Sequence, residues 1–224
     1  MPDFDLSLSY DFDEPEEEEA AAPQPESHIK VHRYGHRHLS RKAQSEQALF
    51  DALDWHFQEG ECYHCFSFGD VDELTFFKHV LHQQKIKYLA LSTWCMAGED
   101  VDDLRKYWQR GMLGRVDFFL GEYFPKSYPE AYTMMKDLAE DCRGRCCVFK
   151  NHAKVMVIVG ERFDCLIESS ANVNTNPRSE NTVVTIDRNL VRDYVDLFNS
   201  LKGGNRDYPQ DMPGYTIPRR DLNG

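Results

Sequence analysis

In NHAKVMVIV (151–159) an imidazole and an ammonium, His152 and Lys154, stand two residues apart at the head of an apolar run. A β-strand turns successive side chains to opposite faces. The spacing therefore predicts His152, Lys154, Met156 and Ile158 on one face and Ala153, Val155, Val157 and Val159 on the other. A lysine is costly to bury unpaired, so Lys154 calls for an anion, either a carboxylate or a bound phosphate. The polar stretch SSANVNTNPRSEN (169–181) follows closely. It offers the hydroxyls of Ser169 and Ser170, the amides of Asn172 and Asn181, and the carboxylate of Glu180. Hydroxyl, amide and ammonium together make an anion clamp. An imidazole beside such a clamp can attack phosphorus when a carboxylate or another base holds its second nitrogen. The same residues also suit a plainer arrangement, a histidine and lysine satisfied at the margin of a sheet.

Other chemistries find less support. No G-x-G-x-x-G or G-x-x-x-x-G-K-[ST] follows a strand-like run, and no G-x-S-x-G elbow occurs. Glu99, Asp100, Asp102 and Asp103 sit where a helix should begin, so they read as capping and dipole-matching residues, not as a metal cluster. Of the seven cysteines, Cys62 and Cys65 form a C-x-x-C, and only Cys142 and Cys146 offer a second close pair for zinc. Because CYHCFSF reads as a strand, ordinary reduced cysteines are the expectation, with no metal and no cofactor.

The elements that must position these groups alternate regularly. Helices are predicted over 45–60, 71–84, 99–112, 128–142 and 188–201 from their apolar spacing, with Gly60 ending the first and Pro129 near the start of the fourth. Strands are predicted over 63–68, 86–93, 115–121, 145–149, 153–159, 163–169 and 181–187. Such alternation indicates βαβ units, hence an α/β fold with a mixed, mostly parallel sheet flanked by helices on both faces. The expected division is a tail over 1–44, a domain over 45–201 and a Gly- and Pro-rich tail or surface strap over 202–224.

Charge is unevenly spread. The formal net charge is −12, but ten of the 38 acidic residues and none of the 26 basic ones fall in residues 1–27. The rest of the chain is close to neutral, so acidity says little about what the domain binds. Residues 11–27 read as disordered, and 28–42 as a basic arm or solvated linker with five Lys or Arg and four His. No apolar run is long enough to span a bilayer, and no basic region followed by an apolar one marks a secretory signal. A cytoplasmic protein with no membrane partner is expected. Arg143, Arg145, Lys150 and Arg178 are candidates for contact with a nucleic-acid backbone.

Three elements occur in order: His152-Ala153-Lys154, then Ser169-Ser170-Ala171-Asn172, then Glu180-Asn181 ahead of an apolar strand. This order resembles the signature of the phospholipase D superfamily, in which His-x-Lys is followed after four residues by Asp, then by Gly-Ser-x-Asn and a later Glu-Asn. The resemblance covers roughly residues 60–201 and departs at two places, Ser169 for Gly and Val159 for Asp. It implies a phospholipase D-like half-domain and a metal-independent phosphodiesterase, with nucleic acid, most readily DNA, as substrate. Since the chain holds one His-x-Lys where the family site uses two, the resemblance implies a homodimer with a shared site. His152 would form a phosphohistidine and the second copy's histidine would protonate the leaving oxygen. Lys154 and Glu180 would be catalytic, with Ser169, Ser170, Asn172 and Asn181 around the phosphate and neither metal nor cofactor required. The loss of Asp at Val159 keeps a second expectation open, a catalytically degenerate relative that binds nucleic acid or a protein within a larger assembly.

Overall fold

The computed structural model describes residues 46–53, 56–67, 71–173 and 179–218. The acidic and basic stretches before Ser45, and Arg178, lie outside the described residues. A helix α1 (46–52) comes first. There follow β1 (Cys62–Ser67), α2 (Glu73–Gln83), β2 (Ile86–Thr93), α3 (Gly98–Gln109), β3 (Leu113–Gly121), the short α4 (Phe124–Ser127), α5 (Pro129–Asp141), β4 (Cys146–Phe149), β5 (Val155–Gly160), β6 (Asp164–Ser169), β7 (Glu180–Thr185) and α6 (Arg188–Ser200).

The seven strands form one sheet in the order β1-β7-β6-β5-β2-β3-β4. The expected βαβ crossovers occur where a helix separates the strands, so β2–β3 and β3–β4 are parallel. The expectation of a mostly parallel sheet is corrected by the remainder, for β2–β5, β5–β6, β6–β7 and β1–β7 are all antiparallel. For β5–β6 the physical reason is loop length: residues 161–163 are too few for a crossover, and only an antiparallel hairpin closes over so short a link. Gln84 fastens that link, with its Oε1 accepting from Arg162 N (2.7 Å) and Phe163 N (3.0 Å) and its Nε2 donating to Phe163 O (2.9 Å). Gly160 is required beneath it, because a Cβ there would lie 2.1 Å from the Gln84 amide.

The central strands are apolar on both faces, as strands covered on both sides must be. Leu89, Leu91, Phe118, Leu120, Met156, Ile158 and Ile167 enter the larger core, which also holds side chains of α1, α2, α3 and α5. Tyr88, Ala90, Phe119, Val157, Val159 and Leu166 enter a second core closed by Val191, Val195 and Phe198 of α6. Residues 202–218 then run back along β4, with Gly204 N donating to Val148 O (2.7 Å), Tyr208 Oη to Gly144 O (3.0 Å), and Tyr215 stacked on Tyr88 at 4.0 Å.

One polar group lies deep in this framework. Asp117 is fully buried and accepts from Arg115 Nε (2.9 Å), Arg145 N (2.9 Å), Arg145 Nε (2.7 Å) and Tyr88 Oη (3.0 Å). Arg145 also donates to Phe198 O and Asn199 Oδ1 of α6, both at 3.3 Å. This removes Arg145 from the nucleic-acid contacts expected of it: it is an internal cation. Arg143 and Arg145 both precede β4, whereas the site residues follow it, so the strand's full length separates them. The cysteines are separated more widely still. Cys62 and Cys65 lie on one edge strand, while Cys142 and Cys146 lie at the other, and six strand spacings of about 4.8 Å keep them from sharing an ion.

Candidate active site

His152 and Lys154 precede β5 and do not lie within it, since the strand begins at Val155. The expected strand face therefore does not carry them, although the two side chains still meet. Lys154 is buried and His152 is exposed. The segment is held by an amide that sequence reasoning did not single out. Asn151 Nδ2 donates to Ser92 Oγ and to Phe119 O, both at 2.9 Å, and its Oδ1 accepts from Ala153 N (3.1 Å). Ser92 Oγ in turn donates to Ala153 O (3.0 Å). The His-x-Lys stretch is thereby pinned across the ends of β2 and β3. The only signal for this in the sequence was an amide beside the histidine, which has many other uses.

Lys154 Nζ folds back on its neighbour, 2.9 Å from His152 Nδ1, 3.4 Å from Nε2 and 2.9 Å from the His152 carbonyl oxygen, to which it donates. Burial lowers the Lys154 pKa below its ordinary value, and the negative charges of Glu73 and Glu180 pull it partly back. The two acidic residues that influence Lys154 are thus Glu180 and Glu73, the latter from α2 and unforeseen, and among the described residues neither is bonded to its ammonium.

The end of β6 meets this lysine through the backbone, Ser169 N donating to Lys154 O (3.0 Å). Ser170 N donates to Asn181 O (2.9 Å), and Asn181 N donates to Ser170 Oγ (3.0 Å). Ser170 Oγ donates to Glu180 Oε2. Ser169 Oγ is turned inward, 2.7 Å from Thr182 Oγ1, and accepts from Ala171 N (3.0 Å), so its hydroxyl shapes the turn. Asn172 is half-buried with its Oδ1 shielded and without a hydrogen-bond partner. Among the sequence-predicted residues, His152 with Lys154 and Ser170 with Glu180 and Asn181 form two bonded groups, joined through Lys154 and Ser169. Glu180 is bonded to Ser170 within the chain, and not to the His152 imidazole. Val159 is walled by the apolar core under α6 at 1 % exposure, so a carboxylate there would be buried among hydrocarbon.

Glu73 is the acidic residue with the strongest influence on Lys154. It is completely buried at the start of α2, and neither carboxylate oxygen has a hydrogen-bond partner. Burial pushes its pKa well up, repulsion from Asp72 adds to this, and Lys154 opposes it. A raised pKa means that the native state holds a proton the unfolded chain has released above pH 4.5 or so. The contribution to stability is full below that pH and lost as pH rises through the folded-state value. Melting curves of wild type and Glu73→Gln at pH 5 and pH 8 should therefore diverge. Relative to wild type the variant should gain stability as pH rises from 5 to 8, because its amide has no proton to lose. Parallel curves for the two proteins would refute the assignment.

Asn151→Ala should lower stability by about 1–3 kcal/mol, because the Ala153 amide loses its acceptor and Phe119 O loses a donor. Unaltered melting of the variant would show that Asn151 does not pin the segment.

No protein-family model matches the chain, and no curated protein matches it. Similar solved structures include polyphosphate kinase from Porphyromonas gingivalis, with 16% identity and a TM-score of 0.49 over 69% of this chain and 27% of that one. NucT from Helicobacter pylori is similar with 12% identity and a TM-score of 0.47, over 62% of this chain and 94% of that one. Phosphatidylserine synthase from Haemophilus influenzae is similar with 11% identity and a TM-score of 0.42, over 62% of this chain and 38% of that one. Among the described residues, no helix is long and apolar enough to cross a membrane.

Proposed function

We propose that the chain is a phosphodiesterase of the phospholipase D type, acting on nucleic acid, most readily DNA, without a metal, in a site shared by two copies. The observation that carries this is the junction of His152 and Lys154 with Ser170, Glu180 and Asn181 at one end of the sheet. In this reading, His152 attacks phosphorus through one ring nitrogen, and the bond from phosphorus to the leaving oxygen breaks. That oxygen takes a proton from the second copy's imidazole. The same imidazole then accepts a proton from water as the water displaces His152. Lys154, Ser170 and Asn172 stabilise the charge on the non-bridging oxygens. Glu180, held by Ser170 and without a bond to the imidazole, acts through its negative charge.

The test is to incubate the protein with single- and double-stranded DNA, RNA and a simple phosphodiester in excess EDTA. Cleavage, with a protein-bound phosphate that survives alkali and is lost in acid, is the expected result. No cleavage of any of these sinks the reading. Tight binding without cleavage would favour a silent nucleic-acid-binding relative, a reading supported by the bonding of Glu180 to Ser170 and not to His152. Sedimentation should give a dimer, and an active strict monomer would remove the shared site.

A further inference from the structure

We propose that Trp94 and Tyr123 form a stacking platform beside His152 that takes an unpaired nucleobase and gives the site a preference for single-stranded nucleic acid. This rests on the phosphodiesterase reading for its chemistry, but on separate residues for its evidence. Trp94 follows the last residue of β2, and Tyr123 lies two residues past the end of β3. Those strands are parallel neighbours, so both aromatics emerge at the same end of the sheet. β5 runs antiparallel to β2, with Ser92 opposite Val155, and its entry brings His152 to that same end.

The rings are in contact order. Trp94 and His152 have centroids 5.0 Å apart at an interplanar angle of 53°. Trp94 and Tyr123 are 6.2 Å apart at 65°. The indole lies down over Gly121, where a Cβ would come within 2.8 Å of Trp94 Cε3 and 2.9 Å of Asn151 O. Any other residue at that strand end would lift the indole or displace the loop carrying the histidine. Tyr123 is 57% exposed and Trp94 only partly buried, so hydrophobic packing does not account for an aromatic pair here.

Each base of a nucleic acid has a π-face, and aromatic side chains bind it without regard to sequence. In a duplex both faces of each base are already stacked on neighbours, and exposing one costs a few kcal/mol. An unpaired strand incurs no such cost, which is why the platform selects it. The charge distribution is compatible with this: acidic and basic residues are nearly balanced outside the first 27 residues, so the chain lacks the strong net basic excess of a protein that binds by backbone charge alone.

The experiment compares cleavage, in EDTA, of a short DNA strand, the same strand carrying abasic residues, and the corresponding duplex. Wild type should favour the base-bearing strand over the abasic one by roughly 5–150-fold in kcat/KM, the range that stacking of one base supplies, with most of the difference in KM. Trp94→Leu should collapse that ratio towards one, and Trp94→Phe should restore most of it. Tyr123→Ser, at an exposed position whose loss leaves the core intact, should reduce it several-fold. Equal use of base-bearing and abasic strands by wild type, survival of the ratio in Trp94→Leu and Tyr123→Ser, or a preference for duplex would overturn the platform. If nothing is cleaved, the phosphodiesterase reading fails by itself. Fluorescence anisotropy with the same strands then decides the platform: a base-dependent affinity lost in Trp94→Leu upholds it, and equal or absent binding overturns it.

Discussion

His152→Ala is expected to reduce cleavage in EDTA by about 10⁴-fold or more. Removing a nucleophile or a general acid alone costs on the order of 10²–10⁶-fold, and in a shared site one substitution removes both. The fold should be untouched, since the imidazole is exposed and, among the described side chains, is bonded to Lys154. Titration of one protein against the other gives a sharper result. When wild type and variant are co-expressed in equal amounts and subunits pair at random, only dimers with two intact histidines are active. Activity should fall to about a quarter of the all-wild-type value, following the square of the wild-type fraction. A linear fall to about half would mean that each chain has a complete site. Cleavage by His152→Ala at the wild-type rate would move the chemistry elsewhere.

The largest effect on stability is expected from Asp117→Ala. Among the described residues, Asp117 carries the one carboxylate that Arg145 meets in the core, and it also receives Arg115 and Tyr88. Its removal leaves the buried Arg145 guanidinium, packed 5.1 Å over Phe119, without a counterion. Breaking one side of such a buried pair costs about 3–5 kcal/mol. That is a large fraction of a typical domain stability of roughly 5–15 kcal/mol. At about 2–4 °C per kcal/mol for a chain of this size, the melting temperature should drop by roughly 6–20 °C. The control is the exposed pair of Arg105 and Asp141, where Asp141→Ala should shift stability by no more than about 1 kcal/mol. Equal effects at the two positions would contradict this account. Because Arg145 reaches α6 and Arg115 reaches Pro213 O (2.7 Å), the loss should loosen the face covered by α6 before the face covered by α2 and α3.

Much of the architecture was legible because it depends on periodicity and loop length. IKYLALST is the strand it reads as, residue for residue, and α6 differs from its reading by one residue. Strand direction was harder. The helices between β2, β3 and β4 invited a parallel sheet, and only the three-residue link after Gly160 told against extending it to β5 and β6. At the site, the pairing of His152 with Lys154 and of Ser170 with Asn181 and Glu180 follows from motif order. Glu73 and Trp94 could not be read in this way. Glu73 occupies a position where a first-turn acid serves the helix dipole in most helices, and nothing local says that it is wholly buried. Trp94 becomes a neighbour of His152 only once β2 and β5 are paired. Arg145 misled for the complementary reason: a surface-looking arginine near the motif is an internal ion whose partner lies in another strand.

The antiparallel run β5–β6–β7 has a bearing on how the protein assembles. Its strands are joined by short links, so their pairing closes small loops, whereas β2 must wait for a partner that begins at Val155. Local closures come early and distant ones late. The lysine, serine and carboxylate therefore lie on or beside strands whose pairing is local in sequence. The loop carrying the histidine is fastened by Ser92 and Phe119, from strands distant in sequence, which receive Asn151. The two halves of the candidate site thus depend on pairings of different range.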